Sequence, residues 1–367
     1  MNKIILLLLA VFIVGCQSDK VANKTNALEI HIINVQQGDA TLVIGPNGTT
    51  LLIDGGKSGK GTGDIVPYLS GLGISATVGL DYMLATHLDA DHIGGLDEVI
   101  KGGYQVKRHI WFNGSAKTGT TAIDQFFDTA TSTPAGKAET ILLGEIIDLG
   151  NGAKATAVAV GGRVLGFGDL GVADENDKSV ALLIQYNAFD YITAGDLGGG
   201  QYASDNNCTG RVTSQENVET TLVASLMPGG GAGLLTANGV EVLHVNHHGS
   251  ESSTNFEFMN LLTPKIAVIQ TGAGQGSNFN HPREDILNVL MKKVNCITAQ
   301  PALVLQTDEG DPIGTETSKD GHVVGDIVIK TNGVTTFQVS GSGRIREGSP
   351  DERVKAGIAS PLSFPLE

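Results

Sequence analysis

Apolar and polar positions along this chain follow two rhythms, one of period two and one of helical period. From Leu28 to Val35 apolar and polar side chains alternate, as on a half-buried strand. Ala40 to Ile44 and Thr50 to Ile53 read as two more strands joined by Pro46-Asn47-Gly48, which is hairpin-turn chemistry. Short apolar runs at Tyr82 to Ala85, Val106 to Phe112 and Ala153 to Val160 predict buried strands, and helical patterning falls near Asp64 to Leu72, Leu96 to Ile100 and Ala122 to Thr131. Val180 to Tyr186 and Tyr191 to Ala194 flank a short turn, which predicts a hairpin whose second arm runs into Gly195-Asp196. Further strands are expected at Val240 to Val245, Ile266 to Gln270, Ala302 to Leu305, Asp326 to Thr331 and Thr335 to Val339, with helices near Val218 to Leu226 and Arg283 to Lys293. Strands alternating with helices imply an α/β layered domain, with functional residues at strand ends.

The domain is expected over residues 28–341, with the Gly-rich and polar stretch 197–239 as an insertion or long loop and 342–367 as a loose tail. Ahead of it, Lys3 and the apolar run Ile4 to Val14 have the pattern of an export leader, too short to span a bilayer comfortably. Ile13-Val14-Gly15-Cys16 looks like a bacterial lipobox. It implies cleavage before Cys16, lipid on its sulfur, residues 17–27 as a tether to the membrane and a place in the bacterial cell envelope; an ordinary signal peptide with an incidental Cys is the other reading.

Composition adds limits. With 41% hydrophobic and 17% charged residues the chain folds into a core, and its 50 glycines suit a strand-rich fold with many turns. A net charge of −15 with no Lys/Arg cluster argues against stable binding of duplex nucleic acid. A phosphodiester or nucleotide substrate stays open, because bound divalent cations supply local positive charge. Cys16 aside, Cys208 and Cys296 either pair in an oxidising compartment or stay as two thiols. Nothing in the pattern speaks to oligomeric state.

The chemistry is concentrated in Thr86-His87-Leu88-Asp89-Ala90-Asp91-His92-Ile93-Gly94-Gly95, four metal-capable side chains within six residues. On a strand they would face opposite sides, whereas a tight loop entering a helix lets them converge. Imidazole and carboxylate together suit zinc, manganese or iron at two adjacent sites. Four ligands are too few to close two sites, and the candidates for the rest are Asp196, His247, His248 and His281, all expected at strand ends or in the loops that follow. Singly, such residues are often turn or cap features; their density is what points to metal. Ser179 and Ser250 stand in no Gly-x-Ser-x-Gly elbow, which argues against a serine hydrolase. Ser250, Ser253 and Thr254 either donate to a phosphate or cap the helix expected from Asn255 to Leu262.

The string Thr-His-x-Asp-x-Asp-His-x-Gly-Gly resembles the signature of the metallo-β-lactamase fold, in the variant where the second histidine of His-x-His-x-Asp-His is aspartate. Taken with Val35 to Ala40, Leu51 to Gly56, Thr193 to Asp196, His247 to Ser250 and Phe279 to Pro282, the chain is similar to the hydrolase domain of the ComEC/Rec2 competence protein family. This resemblance implies a four-layer αββα sandwich and two divalent metal ions, Zn or Mn, at its edge. His87 and Asp89 would hold one metal, Asp91 and His92 the other, with Asp196 bridging and His247 completing the second. His248 would be a ligand or a proton donor, so that Asp91, Asp196 and His248 form the catalytic group. Asp54 would fix an imidazole, or be only a strand-end turn acid, and Ser250 and His281 would face the substrate. Gln36, Asn34, Ala194 and Asn280 depart from the family's pattern, and His109, the one histidine between the first motif and Asp196, reads as structural. The implied activity is that of a secreted, lipid-anchored phosphodiesterase or nuclease using a hydroxide bridged by two metals. A lactonase or β-lactamase-like hydrolase and a non-catalytic surface binding lipoprotein are the alternatives.

Overall fold

The computed structural model describes residues 26–200, 202–203, 210–211, 215–272, 275, 279–310, 323–343 and 360–366. The leader, Cys16, most of the tether and Cys208 lie outside them.

Two mixed sheets dominate the described residues. The first runs, in spatial order, Leu362–Pro365, Thr336–Gly341, Ile327–Thr331, Leu28–Ile32, Thr41–Ile44, Thr50–Ile53, Leu80–Leu84, Val106–Phe112 and Ala138–Thr140. The second runs Gly168–Asp169, Arg163–Val164, Ala153–Val160, Ala181–Tyr186, Phe189–Thr193, Val242–His244, Ile266–Ile269 and Leu303–Gln306, with Ile146–Gly150 also paired to Ala153–Val160.

Side-chain alternation explains why the sheets stack and why both are covered. Leu51 and Ile53 pack into one core while Leu52 packs into another; Leu182 and Ile184 join the first of these cores and Leu183 a third. A strand with apolar residues at both parities buries both faces, so it needs a layer on each side. The inner core joins the sheets through residues such as Ile30, Val43, Ala157, Tyr191, Val242 and Val268. Outside the first sheet, Leu42, Leu80 and Met83 meet helices Val66–Gly71, Leu96–Lys101 and Thr121–Ala130. Outside the second, Ile192, Leu243 and Ile269 meet Val218–Leu226, Phe256–Leu262 and Glu284–Leu290. The result is the expected αββα sandwich. Each fully buried large apolar side chain contributes roughly 1.5–3 kcal/mol, which lets one end of the sandwich carry buried carboxylates that oppose folding when unpaired.

Two boundaries differ from the expectation. Within 197–239, Leu222, Val223 and Leu226 belong to the outer core, so the helix there is part of the sandwich and not a peripheral insertion. Within 342–367, Leu362–Pro365 pairs antiparallel with Thr336–Gly341, and the Phe364 and Phe337 rings stack 5.3 Å apart. Four residues carrying only two large apolar side chains were too short a pattern to separate from a polar tail.

Parallel strands in both sheets end on the same edge. Thr50–Ile53 and Leu80–Leu84 are parallel neighbours that run into Asp54 and into Thr86-His87. Phe189–Thr193, Val242–His244 and Ile266–Ile269 are parallel neighbours too, and their carboxyl ends lead to Asp196, to His247-His248 and to the segment carrying His281. Ligand sites of α/β sheets form outside such carboxyl ends.

Candidate metal centre

The first sheet supplies its half through backbone turns. Asp54 leaves its strand at φ 57°, a left-handed conformation that Asp tolerates better than most residues. There its Oδ1 accepts the Thr86 N–H at 2.7 Å, while Oδ2 accepts the Thr86 hydroxyl at 2.7 Å and His92 Nδ1–H at 2.8 Å. The short helix Ala90–Ile93 buries His92 and leaves Asp91 partly open. Gly38, at φ 116°, lets the preceding loop touch that helix, because a Cβ there would lie 2.2 Å from the Asp91 carbonyl oxygen. Across this contact Gln37 Nε2 donates to Asp91 Oδ2 at 2.7 Å.

The second sheet brings Asp196 and two histidines. Gly195 precedes Asp196 at φ 52°, and a Cβ there would lie 2.6 Å from Thr86 Oγ1, so the glycine is what lets the two sheet edges meet. The Asp196 N–H is fixed by the Ser179 hydroxyl at 3.2 Å. His247 and His248 are both left-handed, at φ 51° and 52°, a strain of order 1–3 kcal/mol each. Buried Glu219 holds this loop: its carboxylate accepts Asn246 Nδ2 at 2.7 Å, Thr254 N at 2.6 Å and Asn255 N at 2.8 Å.

Burial raises the Glu219 carboxyl from its ordinary 4.5 to about 7, against the pull of these donors. A folded pKa above the unfolded one means that this contribution to stability is complete below about 4.5 and is lost as pH rises through about 7. Asp177, buried and also near 7, has the same sign. We expect the urea midpoint to carry a downward component from pH 5 to 8 that Glu219→Gln reduces. An unchanged slope in that variant would show that Glu219 does not titrate in this window.

Imidazoles converge at the centre. His92 Nε2 lies 3.1 Å and His248 Nε2 3.7 Å from Asp196 Oδ1, whereas His247 Nε2 lies 3.5 Å and His87 Nε2 3.9 Å from Asp196 Oδ2. Asp91 Oδ2 is 3.5 Å from His248 Nε2, and Asp89 Oδ2 is 4.0 Å from His87 Nε2. The cluster thus has two lobes joined by one carboxylate. The sequence reading gave His247 to the Asp91–His92 lobe, but His248 stands there and His247 faces the His87 side. Adjacent left-handed residues turn the two rings to different oxygens of Asp196, which motif order does not reveal.

In all four histidines Nδ1 is tied to the protein. His87 meets the Thr86 hydroxyl at 3.2 Å, His92 meets Asp54, His247 meets Gln215 Oε1 and Ser252 Oγ at 3.0 Å each, and His248 meets the Gln270 carbonyl at 3.0 Å and Asp39 Oδ1 at 3.2 Å. Nε2 is therefore the atom each presents to the centre, as in metal-ligating histidines. Among the described residues, Nε2 of His87, His92 and His248 and Oδ1 of Asp196 are buried without a hydrogen-bond partner. Orphan groups cost roughly 1–3 kcal/mol each, and cations bound by nitrogen and oxygen remove that cost, so the donor set fits metal. His87-His92-Asp196 and Asp91-His92-His248 each place a ligand atom from every member within 4.8 Å of the others.

Charge follows the same division. Burial, helped by neighbouring His92, holds His87 down at about 3, and burial also lowers His247, so both present the neutral, ligating form. Burial acts against the charged forms of His92 and His248 too. There Asp196 outweighs it, with Asp54 beside the first and Asp39 beside the second, and both pKa values rise. Asp196 goes down because His92, His247 and His248 outweigh its burial.

A cleft of about 200 Å³ opens on the cluster, and Lys57, Asp89, Asp91, His247, His248 and His281 are among the residues that line it. His281 is 4% exposed, its ring is 5.5 Å from that of His247, and burial holds it neutral with a pKa of about 2. Ser250, expected to face substrate, does not line this cleft; its hydroxyl bonds Ser252 at 3.0 Å, the residue that steadies His247 Nδ1. The Ser253 hydroxyl donates to the Asn246 carbonyl at 2.8 Å, and the cap of helix Phe256–Leu262 is Asn255. His109 lies away from the cluster, stacked 4.9 Å from Trp111.

Sequence reasoning left out several supporting groups. Asp39 sits in the recognised stretch Val35 to Ala40, and its acid next to a glycine was the available signal; it is buried, beside both His248 and His244. Glu219, Ser179 and Lys117, which ion-pairs with Asp89, are isolated polar residues with no local pattern. Two departures from the family's glycines keep the backbone a glycine would adopt, since Gln36 and Asn280 hold positive φ values of 63° and 55°, though with a strain that glycine avoids. Asp54→Asn is expected to weaken metal affinity roughly 10- to 100-fold, measured by competition with a chromophoric chelator. Unchanged affinity would mean that the His92 orientation does not depend on Asp54.

Residues 33–178 match the metallo-beta-lactamase superfamily. ComE operon protein 3 of Bacillus subtilis (strain 168) is 25% identical over 301 residues, 78% of this chain and 32% of its own length, so the chain spans about a third of that relative. Two solved structures also align. Tm1679, a metal-dependent hydrolase of the beta-lactamase superfamily, has 13% identity and a TM-score of 0.43, covering 76% of this chain and 95% of that one. CmlA, a diiron β-hydroxylase from Streptomyces venezuelae, has 13% identity and a TM-score of 0.42, covering 76% and 53%.

Proposed function

We propose that this chain, whose residues 33–178 match the metallo-beta-lactamase superfamily, is a metal-dependent hydrolase that cleaves phosphodiesters with two divalent cations, Zn or Mn. In this reading His87, Asp89, His247 and Asp196 would hold one cation, and Asp91, His92, His248 and Asp196 would hold the other. The chemistry such cations would supply there is polarisation of the scissile bond, a lowered pKa for water and an offset to developing charge.

The protein's own groups do the positioning. Asp54 and Asp39 fix the tautomers of His92 and His248, so His248 serves as a ligand and not as the proton donor. His281, neutral at the wall of the cleft, offers an N–H to a phosphate oxygen. No serine or cysteine lines the cleft among the described residues, so the nucleophile is water. The observation that supports the phosphate reading is the two-lobed His–Asp cluster on the cleft, a donor set whose two bound cations would put positive charge beside the Asp89, Asp91 and Asp196 carboxylates of an otherwise acidic protein. An anion is attracted by that arrangement, and a neutral lactone gains nothing from it.

We take the protein to be exported and lipid-anchored through Cys16, in the cell envelope. Disulfide-bonded Cys296 supports an oxidising compartment. Among the described residues no helix is long and apolar enough to cross a membrane.

The test is a substrate panel with and without EDTA and Mn²⁺. Bis-p-nitrophenyl phosphate or a single-stranded oligonucleotide is expected to be cleaved, and lactones and cephalosporins not. Turnover of a lactone or cephalosporin with none of either phosphodiester would overturn the phosphodiester reading; a metal-loaded protein inert on every substrate would return the binding lipoprotein.

A further inference from the structure

One wall of the cleft ends in an aromatic ring that the fold holds open. Phe279 is 53% exposed, and it lines the same cleft as the His–Asp cluster. Its ring centroid stands 5.9 Å from that of His281, whose own ring is 6.3 Å from His248. The three rings therefore mark a path from the metal-capable centre to the rim.

The position is built by polar anchors and not by burial of the ring. Gln275 clamps the backbone behind it: Nε2 donates to the His281 carbonyl at 2.7 Å and to the Gly272 carbonyl at 2.8 Å, and Oε1 accepts the His281 N–H at 2.6 Å. The Phe279 carbonyl accepts from Arg283 Nη1 at 3.2 Å, and Arg283 is itself ion-paired with Glu251. A second, independent observation points to a ligand. His281 is 96% buried by its 4% exposure, its ring lines the cleft, and its Nδ1 has no hydrogen-bond partner among the described residues.

We propose that Phe279 is a stacking platform for a base, and that the substrate is a nucleotide-class phosphodiester with its phosphate at the cluster and His281, and one base on the Phe279 ring. The inference rests on the phosphodiester reading and narrows it. An exposed aromatic face accepts any base, because every base has a π surface, and the expected preference is for a base-bearing substrate with little sequence selectivity. A single ring suits an unpaired base, in keeping with a net charge of −15 that disfavours duplex.

Binding to the metal-loaded protein tests this by calorimetry, with AMP and ribose 5-phosphate as probes. Wild type is expected to bind AMP more tightly than ribose 5-phosphate by roughly 5- to 100-fold, the range of one base stacked on an aromatic side chain. Phe279→Ala should abolish that advantage and leave ribose 5-phosphate affinity unchanged, and Phe279→Trp should keep it. Equal binding of the two probes by wild type, an advantage that persists in Phe279→Ala, or parallel loss of both affinities in that variant would overturn the platform while leaving the phosphodiesterase reading intact. Binding of neither probe would overturn both.

Discussion

Asp196→Ala is expected to lower turnover on the order of 10³-fold or more, the worth of several kcal/mol of charge stabilisation. Its two oxygens face different pairs of imidazoles, His92 and His248 on one side and His87 and His247 on the other, so one substitution touches both lobes. The fold should survive. His92 and His248 have raised pKa values chiefly because Asp196 counters their burial, and without it they become neutral and leave no uncompensated charge. Circular dichroism and the thermal midpoint check the fold, and steady-state kinetics on bis-p-nitrophenyl phosphate check the turnover. Turnover within tenfold of wild type in a folded Asp196→Ala protein would remove Asp196 from the centre.

Removing metal with EDTA is expected to abolish turnover and to lower stability at once. Asp39, Asp54 and Asp196 lie buried in one cluster with the partly open Asp91, and Nε2 of His87, His92 and His248 and Oδ1 of Asp196 have no hydrogen-bond partner among the described residues. A cation free at about 100 times its Kd stabilises the fold by roughly 2.7 kcal/mol, and at 1,000 times by roughly 4.1 kcal/mol. The thermal midpoint should therefore fall by several degrees and recover, together with turnover, when Mn²⁺ or Zn²⁺ is returned. A chelated protein that keeps its turnover would rule out metal chemistry at this site.

Much of the fold was legible in the chain because both rhythms are local. Alternation in Leu28 to Val35 and the apolar runs at Tyr82 to Ala85 and Val180 to Tyr186 follow from which faces are buried and gave an α/β layered domain, whereas the four layers were implied by the family resemblance. The metal-capable loop was legible because His87, Asp89, Asp91 and His92 are close in sequence. What was hidden depends on contacts across the chain. The exchange of His247 and His248 is decided by two adjacent left-handed residues and by Glu219, 28 and 29 positions earlier, whose carboxylate holds the loop. Asp39 becomes significant only when the loop before Thr41–Ile44 folds against His248. Phe279 looked like one letter of a motif; its exposure beside the cleft is a property of the folded edge.

Metal stoichiometry is the most direct test of a two-cation centre. Elemental analysis of protein loaded with Mn²⁺ or Zn²⁺ and freed of excess ion should give two ions per chain in wild type, and His248→Ala should lose the ion on the Asp91–His92 side. Wild-type protein that holds no ion, or never more than one, would contradict it.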